Sequence, residues 1–150
     1  MTNDNPWALP FFAGLKPEWL ERLAGCATPR AYPADAYLFR EGGAAAQCQV
    51  ITQGHVALEI AAPGRPPVVF LTLGRGDVVG ISWLAPPYRW SFDARAVEPT
   101  HTLAFDAVCL NEMFEADHEF GYVMMKRFLP VLVRRLQATR LQVLDVYARH

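Results

Sequence analysis

The stretch Gln49-Val50-Ile51-Thr52-Gln53-Gly54-His55-Val56-Ala57-Leu58-Glu59-Ile60 decides the fold. Two runs rich in Val, Ile and Leu, residues that suit a pleated and half-buried surface, flank a glycine where the chain can reverse. Working outward, the same alternation of strand and turn signals recurs. Upstream, Tyr37-Leu38-Phe39-Arg40 runs into Glu41-Gly42-Gly43. Downstream, Val68-Val69-Phe70-Leu71-Thr72-Leu73 lies between Pro63-Gly64-Arg65-Pro66-Pro67 and Gly74-Arg75-Gly76. Phe92–Val97 and Thr100–Phe105 complete the series. Short strands at such regular spacing predict an antiparallel β-roll or jelly-roll barrel over about residues 32–106.

The flanks read as helix. Leu15–Gly25 carries Pro17 at a first-turn position, Glu18 and Glu21 near the positive end, and Gly25 at the stop. Beyond the strands, Asp106 or Asn111 can cap a short helix around Leu110–Phe114, and a long helix is expected from His118 to Tyr147. Together these C-terminal helices cover about residues 107–147. Pro130 falls inside the long one, where a missing N–H predicts a kink or break. Leu129, Leu132, Leu136, Thr139, Val143 and Val146 recur at three- and four-residue steps. Such a heptad stripe serves a homodimer seam (Leu129, Leu132, Leu136, Val143) or packs on the chain's own roll. In the dimer reading, Arg134, Arg135 and Arg140 flank the seam in solvent.

Composition bounds the function. The chain has 150 residues, 52% hydrophobic and 19% charged, so residues 9–150 suit one ordinary domain with a single core. A net charge of −1 gives no global basic field for nucleic acid or anionic lipid. The N-terminus has no basic segment leading into an apolar one, and no apolar run reaches the length of about 18 residues that a membrane span needs. A cytoplasmic protein with neither DNA nor membrane as partner is expected. Cys26, Cys48 and Cys109 form no CxxC and are read as buried free thiols in a reducing compartment.

Catalytic classes find little support. His55 and Glu59 share a strand face, but no His-x-His pair completes a metal site, and His101, His118 and His150 stand alone. Neither a Gly-x-Ser-x-Gly elbow nor a Walker loop occurs. No catalytic residue and no metal are therefore expected.

The order of helix, roll and long terminal helix resembles the cyclic-nucleotide-binding domains, whose roll has eight strands. The likeness is carried by Leu9-Pro10-Phe11-Phe12-Ala13-Gly14-Leu15 at the entry and by the turns Leu38-Phe39-Arg40-Glu41-Gly42 and Ile51-Thr52-Gln53-Gly54-His55-Val56. Leu73-Gly74-Arg75-Gly76-Asp77-Val78-Val79-Gly80 resembles the approach to the family's phosphate-binding cassette. The resemblance implies a regulatory, ligand-sensing domain without the helix-turn-helix that gene-regulating members append. It implies cyclic AMP, cyclic GMP or another small planar anion as ligand. In the family, a Gly-Glu run opening a short helix holds the ribose hydroxyl and phosphate, and an Arg about ten residues on forks the phosphate.

Here Gly80-Ile81-Ser82-Trp83 is followed by Arg89-Trp90-Ser91. Ile81 stands where the ribose-binding Glu is expected and Trp90 where the phosphate Arg is expected. Arg89 comes one residue early, and strand alternation turns it to the other face unless Pro86-Pro87 re-aims the loop. Losing two charged hydrogen bonds at about 1.5–3 kcal/mol each weakens ordinary cyclic AMP recognition by orders of magnitude. The aromatic residues Trp83, Tyr88, Trp90 and Phe92 then serve as a stacking platform for a flat ligand or a partner, or as a plug in an obsolete pocket. The platform reading gives a ligand-sensing domain of altered specificity. The plug gives a protein-interaction or dimerisation module whose pocket no longer functions.

Overall fold

The computed structural model describes residues 5–148, with side chains as far as Leu141. Two short 3-10 turns, Pro6–Ala8 and Pro10–Phe12, lead into helix α1 (Pro17–Cys26). The strands are β1 (Ala27–Tyr32), β2 (Tyr37–Phe39), β3 (Gln47–Gln53), β4 (Val56–Ala62), β5 (Arg65–Leu73), β6 (Asp93–Ala96) and β7 (Thr100–Asp106). Helices α2 (Ala107–Ala116) and α3 (His118–Ala148) follow. All strand pairing is antiparallel, in two sheets ordered β1-β7-β3 and β2-β6-β4-β5. This is a mainly β roll with helices at both ends. The described residues form seven strands rather than the family's eight, and isolated pairings at Ala44–Arg89 and Val50–Val78 extend the ladders.

Proline placement explains where the strand boundaries depart from the sequence expectation. Pro29 lies in β1 and Pro66 and Pro67 in β5, and both strands sit at sheet edges, where a missing N–H leaves no central ladder bond unmade. The turn expected over residues 63–67 contracts accordingly, since Ala62 already pairs with Arg65. Gly54 turns β3 into β4 with φ +98°, and a Cβ there would lie 2.6 Å from Thr100 Oγ1 and 2.7 Å from the Pro99 carbonyl. Both positive φ and space exclude a side chain.

The core runs between the sheets and continues under the helices. Val50, Ile51, Val56 and Leu58 of β3 and β4 are fully buried. Phe120, Met124 and Phe128, at four-residue spacing, turn one face of α3 into the same cluster. Asp106 caps α2 by accepting the Cys109 N–H at 3.0 Å. Asp117 accepts the Phe120 N–H at 3.1 Å and the Trp19 indole N–H at 2.9 Å, tying α1 to the start of α3. Those two bonds, the backbone one foremost, hold its carboxyl below the usual range. Pro130 does not break α3, which is helical through to Ala148.

The cysteines differ from expectation. Cys26 at the end of α1 and Cys109 in α2 form a disulfide, and Cys48 alone is a buried free thiol. Spacing could not reveal the pair: 83 residues separate the two in sequence, and only packing of α1 on α2 brings their Cα atoms to 5.8 Å. The pairing also removes the argument for a reducing compartment. Alkylation of the denatured, unreduced protein is expected to label Cys48 alone, and after reduction all three cysteines. Cys26→Ala with Cys109→Ala should lower stability by about 2–5 kcal/mol in urea denaturation.

Candidate functional site

The cassette hangs from β3. Asp77 accepts the Ile51 N–H at 3.0 Å and Gln49 accepts the Val79 N–H at 2.8 Å, so the chain reaches Gly80 already fixed against the roll. Gly80 has φ +112°, and a Cβ there would lie 2.8 Å from Cη2 of Trp90 and closer still to Cζ3. The indole therefore packs directly on the bare Gly80 backbone. It also stacks on Phe39, centroids 3.8 Å apart and planes within 8°, and Phe39 borders Gly80 as well. The Trp90 backbone is fixed too, donating to Gly43 O at 2.9 Å and accepting from Gly42 N–H at 2.8 Å. Trp90 thus fills the place where the resemblance implies a phosphate fork.

Trp83 is sealed still more completely. Its indole N–H donates to Gly80 O at 3.1 Å, and its ring meets Phe128 of α3 edge-on at 5.3 Å and Phe114 of α2 at 6.2 Å. Both Trp83 and Trp90 belong to the core, 1% and 6% exposed, which overturns the idea of an exposed aromatic platform. Of that group Tyr88 is the exposed member. The short helix of the family cassette is here a three-residue 3-10 turn, Ser82–Leu84.

What remains open lies beside this plug. A cavity of about 500 Å³ is lined by Ile81, Ser82, Leu84, Ala85, Ser91 and Phe92 of the cassette, Ile60 and Phe70 of the roll, and Leu132, Arg135, Leu136 and Thr139 of α3. That volume is in the range of small-molecule sites, roughly 300–1,000 Å³. The structure brings Ile81, Ser82 and Ser91 together on its wall. It leaves Gly80, Trp83 and Trp90 packed behind them. Arg89 faces away, exposed, with Nη1 donating to Gly42 O at 2.8 Å, so the two prolines do not turn it inward.

The α3 wall was not legible as a site. Arg135, expected in solvent, is 7% exposed and covered by the roll, whereas Arg134 beside it is exposed and pairs with Asp77 at 3.4 Å. Phe128, Val131 and Arg135 lie on the face of α3 turned toward the roll. Leu129, Leu132 and Leu136 form a neighbouring stripe at 58%, 49% and 60% exposure, and Leu132 and Leu136 also border the cavity. The side chain of Val143 lies outside the described residues. Elsewhere, His55 pairs with Glu98 and Glu59 with Arg95 at 2.8 Å, and no group of three or more His, Cys, Asp or Glu among the described residues could hold a metal. No helix among them is long and apolar enough to cross a membrane.

Roll, cassette loop and terminal helix thus all contribute to the cavity wall. The chain belongs to the cyclic nucleotide-binding domain family, whose model matches residues 29–117. Among solved structures, a Geobacter metallireducens GS-15 protein assigned to cyclic nucleotide binding is 26% identical, with a TM-score of 0.77 over 91% of this chain and 99% of that one. The Thermus thermophilus catabolite activator protein is also 26% identical (TM-score 0.71, 93% of this chain, 63% of that one). The c-di-GMP-responsive regulator CLP of Xanthomonas campestris shares the fold at 18% identity (TM-score 0.74, 85% of this chain, 63% of that one). The chain thus spans under two thirds of those two regulators. No curated protein matches the sequence.

The plug has a measurable consequence. Trp90→Ala should cost about 3–5 kcal/mol, as expected for an aromatic removed from a packed core. Gly80→Ala should be severe in the wild-type background. Combined with Trp90→Ala, its cost should fall toward the backbone strain of about 1–3 kcal/mol, because the closest clash is gone and only the Phe39 ring, 3.3 Å away, has to give. A double-mutant cycle in urea measures the difference.

Proposed function

We propose that this chain is a non-enzymatic regulatory domain, spanning residues 9–150, that senses a small anionic ligand other than ordinary cyclic AMP. One observation carries the reading: the cavity described above is walled on one side by the cassette and on the other by α3. A ligand there touches both, and by favouring one arrangement of α3 over another it can pass its presence on. Family membership and the likeness to a catabolite activator protein support a regulatory role. Ile81 offers no acceptor to a ribose hydroxyl, and Trp90 closes the phosphate seat. Specificity has therefore moved away from the family's usual contacts.

Homodimerisation through α3 is part of the same proposal. Leu129, Leu132 and Leu136 form an exposed apolar stripe, and Tyr122 and Met125 extend it toward the helix start. A protein in the cytoplasm with neither DNA nor membrane as partner remains the setting proposed for it.

Two experiments test this. Calorimetry with cyclic AMP, cyclic GMP and cyclic dinucleotides should show cyclic AMP binding weaker than a few micromolar by an order of magnitude or more. Any binder found should slow hydrogen exchange in α3 around residues 130–141. If every compound is silent, a dimerisation module with a non-functional pocket becomes the better account. Light scattering should give a dimer at tens of micromolar, and Leu129→Asp should yield a monomer. A wild-type monomer would overturn the seam.

A further inference from the structure

The cavity's α3 wall holds a group that the fold leaves incomplete. Arg135 is more than nine-tenths buried. Nη2 donates to the Val78 carbonyl, but Nε and Nη1, both buried, have no hydrogen-bond partner. Folded proteins rarely bury donors without partners, least of all charged ones, and an exception asks for an explanation such as an absent ion or ligand. The neighbouring groups supply no hydrogen bond to these atoms. Asp77 acts on the guanidinium through its charge alone and is itself bonded by Arg134 at 3.4 Å and by the Gly74 N–H at 2.9 Å. Cys48 lies near enough to interact, but burial pushes its thiol up to about 12, so it is neutral at physiological pH. Burial draws the guanidinium down to about 10, which still leaves it a cation there.

The surroundings define what completes it. The cavity wall is mostly aliphatic and aromatic, with Phe92 5.8 Å from the guanidinium carbon, and its other polar side chains are the hydroxyls of Ser82, Ser91 and Thr139. Such a site suits a flat or apolar body carrying one negative group, and penalises a polyanion, whose further charges would find no partner.

We infer that Arg135 is the anion-binding residue of this cavity, so that the ligand's single negative charge is held from the terminal helix instead of from the cassette. The inference deepens the ligand-sensing reading and rests on it. It places the charge contact on the element that would relay the signal, because an anion drawn to Arg135 pulls directly on α3.

Two fluorescent dyes test it: 8-anilinonaphthalene-1-sulfonate, a monoanion, and N-phenyl-1-naphthylamine, its neutral counterpart of nearly the same shape. The wild-type chain should bind the anionic dye about tenfold or more tighter than the neutral one. Arg135→Met should erase that preference while leaving the neutral dye's affinity within about twofold. Arg135→Lys should keep part of the preference, and serves if the Met variant folds poorly. Arg134→Gln, which removes an exposed charge one residue away, should leave the ratio unchanged. Equal affinities in the wild type, or an equal loss in Arg134→Gln, overturn the assignment of Arg135 while the cavity still counts as a ligand site. If neither dye binds, the ligand-sensing reading falls together with it.

Discussion

The contact between the Trp90 indole and the bare backbone of Gly80 governs the rest of this molecule. A glycine with φ +112° at the mouth of a cassette leaves an open hollow that something must occupy. In this chain a side chain occupies it permanently, stacked on Phe39 and held by backbone bonds to the Gly42-Gly43 turn. The indole is thereby part of the core. The open volume lies nearer α3, and its polarity is set by what α3 contributes.

The same packing explains how tightly the cassette is bound to the helices. Trp83, two residues beyond Ile81, contacts Phe128 and Phe114, so α2 and α3 grip the loop from behind. The Cys26–Cys109 bridge joins α1 to α2, and Asp117 joins α1 to α3 through the Trp19 indole. These ties concentrate on the first half of α3. Past Pro130 the helix meets the roll through Val131, Arg135 and the cavity, and its exposed stripe grows. Movement of the helix relative to the roll is least costly where the fewest packed contacts would break, which is that second half.

The fold class was legible from glycine and proline placement with strand-type residues between, whereas the strand order was not, because apart from the β4–β5 hairpin every pairing joins strands distant in sequence. The apolar character of position 81 was legible as well, because identity alone settles that the Ile81 side chain accepts no hydrogen bond. What sequence could not settle was direction. Trp83 and Trp90 invited a surface reading because two tryptophans beside paired prolines are common at interfaces, yet the missing Cβ at Gly80 leaves space that draws one of them inward. Arg135 looked like one of several basic residues on a solvated face. Its burial depends on the angle at which α3 crosses the roll, a tertiary quantity that no local pattern encodes. The disulfide was hidden for the same reason, being a contact between helices far apart in sequence.

Leu132 and Leu136 occupy a position with two demands. Both line the cavity, and both are about half exposed on the stripe proposed to meet a second copy. Their apolar surface can be covered from the inside by a ligand or from the outside by a partner helix, and a shift of either side chain is felt at both sites. With Arg135 between them in sequence, facing the roll, three neighbouring positions on α3 combine a charge directed inward with apolar groups directed outward and toward the cavity rim. Under the proposed reading, ligand charge and dimer geometry are linked through a single helical turn. That linkage requires no path through the roll, because two leucines shared between cavity and seam already provide the contact through which occupancy of one changes the free energy of the other.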